Sequence, residues 1–297
     1  MTDYGHELLF GAFVTPAARP PQQAVELAVA ADEFGLDVVT FQDHPYQPTF
    51  HDAWTLMSYV ASRTSRIKVA GNVLNLPLRE PAVLARAVAS LDLLSGGRVE
   101  LGLGAGAFWD AIEAMGGRRL TPGQAVDALA EGIEIIRSVW DTSSKGGVHV
   151  HGKYYTVDGA KRGPAPAHDV SIWVGALKPR MLALTGRLAD GWLPSLAYLK
   201  GGPSELTGMN ERIDAAAVEA GRSPSDVRRL LNVGGSFAAQ SRGFLDGPPD
   251  QWAEELAGLT LEYGTSGFIL ATDNPAAIEL FAKEIAPATR ELVAAER

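Results

Sequence analysis

Val38-Val39-Thr40-Phe41-Gln42-Asp43-His44-Pro45 is a β-branched apolar run that stops at an acid, an imidazole and a proline. In a repeating β/α protein such a stop marks where a strand releases the chain toward the active-site mouth. Outward from it the same alternation recurs. Leu8 to Val14 reads as the first strand, and Pro20 to Phe34 as a helix closed by Gly35. After Val38–Gln42 come a helix over Ala53–Arg63, a strand over Ile67–Leu76, a helix over Pro81–Leu94 and a strand over Val99–Leu103. The fourth helix spans Gln124–Trp140. The strands Ser171–Val174, Trp192–Ser195, Arg229–Phe237 and Gly267–Ala271 then alternate with helices over Pro179–Ala189, Ser204–Ala220, Asp250–Tyr263 and from Pro275. Eight strand–helix pairs predict a closed (β/α)8 TIM barrel, one domain over 1–297. Between the fourth helix and fifth strand, Val148 to Val157 alternates as a small inserted hairpin. Gln240 to Pro249, with Pro248-Pro249, reads as a loop.

The chain has 297 residues, 46% hydrophobic and 21% charged, which suits one large globular unit. No apolar run approaches the ~20 residues that span a bilayer, and the N-terminus lacks the pattern of a secretion signal. A net charge of −9 without a Lys/Arg block argues against nucleic acid and leaves a small molecule as the expected ligand. Zero cysteines exclude disulfides, thiolate metal sites and Cys nucleophiles, and the expected location is the cytoplasm.

Candidate chemistry gathers at the strand ends. His44 exchanges a proton near neutral pH, and Asp43 is the carboxylate that would orient it, although neighbours on an extended strand point to opposite faces. Gly102-Leu103-Gly104-Ala105-Gly106 suits close backbone approach to a ligand, without the dinucleotide-fingerprint spacing. Gly175-Ala176-Leu177 precedes a Pro-initiated helix whose free N–H groups suit an anion, with Lys178 or Arg180 adding charge. Asn72 lies inside an apolar strand, where a buried amide needs partners; Asn75 reads as a loop residue. Trp109, just past the glycines, is placed to face a ligand. His149 and His151 share a strand face with no third ligand nearby, so no metal site is expected. His51 and His168 read as loop residues, and Glu131, Glu134 and Arg137 as a solvated helix face. No Gly-x-Ser-x-Gly elbow or P-loop is present.

Taken together, several segments resemble the bacterial luciferase-like superfamily, which includes flavin monooxygenases and deazaflavin (coenzyme F420)-dependent oxidoreductases. They are Gln42-Asp43-His44-Pro45, Asn72-Val73-Leu74 before Pro81 to Ala87, Ser95 to Gly104, Ile135 to Trp140, Gly152-Lys153-Tyr154-Tyr155, Ile172 to Ala176 and Ala189 to Trp192. The resemblance implies hydride transfer between F420, or alternatively FMN, and a small organic substrate. His44 would exchange the proton. The ring would lie near Asp43, His44, Asn72 and Val73, along the Gly104 and Gly106 strand exit, with its phosphate near Gly175, Ala176 and Leu177. It further implies a non-prolyl cis peptide at Asn72-Val73, a homodimer, and a separate reductase supplying reduced cofactor. In the deazaflavin glucose-6-phosphate dehydrogenase branch a Glu follows the strand-four glycines; here that position is Ala107. This departure leaves a different acid, such as Asp110, or a more apolar substrate against Phe108 and Trp109. A barrel that binds ligand without catalysis is the alternative from another class.

Overall fold

The computed structural model of the protein describes residues 3–297. Eight parallel strands, β1 (Leu9–Val14), β2 (Val38–Phe41), β3 (Lys68–Gly71), β4 (Val99–Gly104), β5 (Ile172–Val174), β6 (Gly191–Trp192), β7 (Arg228–Val233) and β8 (Gly267–Ala271), pair in sequence order. The ring closes where Leu9 to Phe13 of β1 runs in register with Gly267 to Ala271 of β8. Eight helices surround it: α1 (Gln23–Phe34), α2 (Ala53–Arg63), α3 (Pro81–Ser95), α4 (Pro122–Trp140), α5 (Pro179–Leu188), α6 (Glu205–Glu219), α7 (Pro249–Tyr263) and α8, whose segments Pro275–Leu280 and Ala286–Glu296 flank a π-helical turn. No described helix is long and apolar enough to cross a membrane.

The period-2 pattern of the strands separates two cores. Val38, Ala70, Trp173, Leu193, Leu230 and Ile269 point into the barrel and pack with Leu9, Phe13 and Val73. Their strand neighbours Val39, Val69, Leu231, Phe268 and Leu270 face outward and join the larger layer beneath the helices. Burying each such side chain stabilises the fold by roughly 1.5–3 kcal/mol, so continuous apolar strands are what a sheet covered on both faces requires.

Local signals set the helix ends. The Asp52 carboxylate caps α2 by accepting the Thr55 N–H at 2.8 Å, and Thr121 with Gln124 forms a capping box on α4. Gly35 ends α1 in the left-handed conformation (φ 101°), as expected for a residue without Cβ.

Several boundaries differ from the sequence reading. The third strand breaks after Gly71 and resumes at Leu74–Asn75, and the Leu74 side chain folds back to within 2.5 Å of where a Gly71 Cβ would sit, which keeps that position to glycine. A short helix, Trp109–Ala114, stands between β4 and α4. The seventh strand ends at Val233, and Ser236–Phe237 pairs instead with Asp246–Gly247 inside the expected loop. The inserted hairpin is present, with Val148–His151 antiparallel to Thr156–Ala160. Glu131 anchors it: its carboxylate accepts the N–H groups of Lys153, Tyr154 and Tyr155 at 2.8, 2.8 and 3.1 Å. This carboxylate is therefore no part of a solvated face, and Gly152 is small because a Cβ there would meet Glu131 Oε2 at 2.3 Å. His149 and His151 both face solvent on the hairpin beside Asp158.

Candidate active site

The strand ends carrying Asp43, His44, Val73, Asn75, Gly104 and Gly175 converge on one open cleft of about 170 Å³ at the C-terminal mouth. Tyr46 and Ala105 to Phe108 complete its walls. His44 stands half-buried there. Its imidazole stacks on Tyr46 with centroids 5.4 Å apart, and meets Phe108 edge-on at 5.3 Å. Neither ring nitrogen is held by a protein partner among the described residues. Burial lowers the His44 pKa, outweighing the opposite pull of the Asp43 charge.

Asp43 is placed differently from the expectation that it orients His44. Its carboxylate is buried and doubly held by Arg79, Oδ2 from Nε and Oδ1 from Nη2, each at 2.9 Å. Oδ2 also accepts the Asn75 N–H at 2.9 Å. A bidentate pair in this setting is strong and fixed. Arg79 carries no local signal, since an arginine 36 positions away pairs with Asp43 only once β2 and β3 lie side by side.

Asn72 finds its partners within the protein. Its Nδ2 donates to Thr40 Oγ1 at 3.1 Å and to Asn232 Oδ1 at 2.7 Å, and Asn232 Nδ2 donates back to Asn72 Oδ1 at 3.1 Å. Asn232 also donates to Ser195 Oγ at 3.0 Å, so one polar chain links β2, β3, β7 and the segment after β6. The Asn72–Val73 peptide bond is cis. Val73 projects into the barrel, and glycines make its space. A Cβ on Gly104 would lie 2.7 Å from Val73 Cγ2, on Gly175 3.3 Å, and on Gly102 2.0 Å from the Gly71 carbonyl. Part of the glycine pattern thus serves packing around Val73, while Gly104 and Gly106 also wall the cleft.

Asn75, read as a loop residue, is only 6% exposed, and its Oδ1 has no hydrogen-bond partner. An orphaned buried carboxamide oxygen on a cleft wall is what a ligand donor would satisfy. At the β5 exit the Gly175 N–H goes to the Leu103 carbonyl at 3.2 Å, whereas no protein acceptor meets the N–H of Ala176 or Leu177 among the described residues. Arg180 turns away to Asp127 of α4 (2.8 Å), which leaves Lys178 as the cation at this helix start. Trp109 does not reach the cleft. It packs with Leu120, Ala125, Ala128, Tyr154 and Tyr155, because the short helix that it begins turns its indole toward α4 and the hairpin. Asp110 is exposed and paired with Arg119.

A closed (β/α)8 barrel with an open cleft and an aromatic-flanked imidazole at its C-terminal mouth defines a class of barrel proteins that bind ligands at the strand ends. Within it, the sequence profile of the luciferase-like monooxygenases matches residues 4–242, and the chain belongs to that family. It is 32% identical to the F420-dependent glucose-6-phosphate dehydrogenase of Kribbella flavida over 226 residues, 73% of this chain and 65% of that protein. It is 31% identical to the protein of the same name from Mycolicibacterium gilvum over 238 residues, 76% and 68% of the two chains. The first of these matches thus spans just under two thirds of its relative. Among solved structures, an F420-dependent secondary alcohol dehydrogenase in complex with an F420-acetone adduct superposes with a TM-score of 0.83 at 21% identity, covering 96% of this chain and 99% of that one. The FMN-containing oxygenating constituent of 3,6-diketocamphane monooxygenase from Pseudomonas putida gives 0.76 at 22% identity, covering 95% and 98%. At these identities the superpositions establish the shared fold.

Proposed function

We propose that this protein is an F420-dependent oxidoreductase that moves a hydride between the deazaflavin and a small organic substrate, with His44 exchanging the accompanying proton. The observation that carries the proposal is the half-buried His44, unbonded among the described residues and flanked by Tyr46 and Phe108 at the barrel mouth. The names of the relatives at 31–32% identity support the cofactor assignment.

The residues present suit the cofactor. The orphaned Asn75 Oδ1 offers an acceptor to a ring N–H, and Val73 offers an apolar surface to the ring. The unclaimed N–H groups of Ala176 and Leu177, beside Lys178, suit a phosphate at the start of α5. When bound, the deazaflavin supplies a two-electron hydride acceptor or donor. His44 holds the substrate oxygen by hydrogen bond and takes or returns its proton at an imidazole nitrogen. Phe108 and Tyr46 keep water from that nitrogen, and Asp43 positions the strand ends through Arg79 and the Asn75 N–H. Trp109 supports this wall from behind.

Residues 1–297 act in this reading as one cytoplasmic unit. A homodimer is supported by exposed apolar side chains on α2 and α3, where Tyr59, Val83, Leu93 and Leu94 are 43, 67, 48 and 86% exposed. A separate reductase supplies reduced cofactor.

Fluorescence titration with F420 and with FMN, combined with turnover of His44→Ala, tests the proposal. F420 binding should be tight and survive the substitution while turnover falls about 10²–10⁴-fold. Binding of FMN alone, or unchanged turnover, would overturn it.

A further inference from the structure

We propose that the substrate of this site is an uncharged secondary alcohol or its ketone with an apolar body, and that Phe108 sets this preference; the inference rests on the F420 reading above. A phosphorylated or carboxylated substrate needs a cation within hydrogen-bond reach once it is removed from water. None of the residues walling the cleft is Lys or Arg. Arg79, bound to the cleft residue Asp43 at 2.9 Å and 3.4 Å from Asp52, is already paired with carboxylates. Arg180 is spent on Asp127, and Arg119 on Asp110 and Glu113. Lys178 stands at the α5 start, beside the N–H groups assigned to the cofactor phosphate.

What the cleft offers instead is apolar. Phe108 is 56% exposed although it touches His44 and lies 6.0 Å from Tyr46, so a large ring face is left uncovered beside the proton acceptor. Ala107, next to it, is too short to hydrogen-bond a sugar hydroxyl. A substrate that places one oxygen on His44 and its alkyl body on Phe108 satisfies both surfaces. In the oxidising direction the carbinol C–H bond breaks, its hydrogen leaving with the electron pair for oxidised F420. The hydroxyl proton goes to His44 and a C=O bond forms, so the products are the ketone and the reduced cofactor.

The test uses the full chain with saturating F420 and follows loss of deazaflavin absorbance with propan-2-ol, butan-2-ol, pentan-2-ol, cyclohexanol, glucose and glucose 6-phosphate. kcat/KM should rise about 4-fold for each methylene buried, the equivalent of ~0.8 kcal/mol, and the best alcohol should exceed glucose 6-phosphate by at least about 100-fold, or ~2.7 kcal/mol. Phe108→Arg should cut the alcohol preference at least tenfold, compared at F420 concentrations shown by titration to saturate the variant. F420 that binds while no alcohol outpaces glucose 6-phosphate overturns this inference alone. Failure to bind F420 at all removes the underlying reading as well. A preference unmoved by Phe108→Arg removes Phe108 as its determinant.

Discussion

The two ends of the barrel each hold a histidine beside carboxylates, and the two histidines are tuned in opposite directions. At the mouth, His44 is half-buried against Tyr46 and Phe108, and the neighbouring carboxylate, Asp43, is spent on Arg79. Its pKa falls by desolvation. At the floor, His168 Nδ1 lies 3.0 Å from a buried Asp92 oxygen and Nε2 3.5 Å from Glu100, which also pairs with Lys68. Glu100 first, then Asp92, raise the His168 pKa against the desolvation that burial imposes. At the floor two carboxylates, one of them shared with Lys68, face the ring and raise its pKa. At the mouth an arginine has claimed the carboxylate, and burial lowers the pKa. The two rims thus set opposite shifts, a lowered imidazole pKa at the mouth and a raised one at the floor.

The sharpest way to break this contrast is to release Asp43. Arg79→Met leaves a buried carboxylate without its partner, and such losses cost about 3–5 kcal/mol. Urea unfolding should show that loss. The freed Asp43 charge should also raise the His44 pKa, readable by NMR titration of the imidazole. A variant of wild-type stability would mean that the Asp43–Arg79 pair contributes nothing net, and an unmoved His44 would mean that the arginine does not shield it.

The floor gives the next largest effect. His168→Gln should cost about 1–3 kcal/mol, the range for leaving buried acceptors short of a donor, because Asp92 and Glu100 lose their imidazole contact. The pH dependence distinguishes this tie from simple packing. A raised folded pKa means that His168 stabilises the protein fully below about pH 6.5, the unfolded value, and that this contribution is lost as pH rises through the folded value. His44 has the opposite sign: its depressed folded pKa leaves stability intact above about pH 6.5 and erodes it as pH falls toward the folded value. His168→Gln should therefore lose most relative to wild type on the acid side and least on the alkaline side. His44→Gln should relieve acid sensitivity. A His168→Gln deficit that is flat with pH would show that the imidazole pKa does not change on folding.

This contrast was only half legible in the sequence. Asp43 and His44 stood out because a β-branched run ends on them, and the strand-eight and helix-two bounds follow from periodicity and capping. The (β/α)8 count follows for the same reason: each unit carries its signal within about thirty residues. His168 read as a loop residue because its partners, Asp92 and Glu100, are brought to it by barrel closure from 76 and 68 positions away. Arg79, Asn232 and Ser195 were missed on the same ground, being joined to Asp43 and Asn72 across strands rather than along one. Trp109 misled from the other side. Its position after the glycines is a local signal, but the short helix that turns its indole away has too few residues to show a period.

The smallest effect concerns how finely the mouth is packed, and it separates two glycines that the sequence treats alike. Both Gly104 and Gly175 border Val73, and neither has a positive φ, so alanine is tolerated by the backbone at either place. Alanine also restricts the unfolded chain, a gain of about 0.4–1 kcal/mol. At Gly104 the new methyl would sit 2.7 Å from Val73 Cγ2, well inside contact distance, and overpacking of this kind costs about 1–3 kcal/mol. At Gly175 the distance is 3.3 Å, which a shift of a few tenths of an ångström relieves. Gly104→Ala should therefore destabilise and weaken F420 binding, since the displaced Val73 forms the apolar surface assigned to the ring. Gly175→Ala should stay within about 0.5 kcal/mol of wild type, the entropic gain offsetting the close contact. Thermal unfolding and F420 titration of the pair decide it. Equal losses at both positions would mean that the barrel mouth is rigid everywhere around Val73, and that the cleft has no more give than the tied floor beneath it.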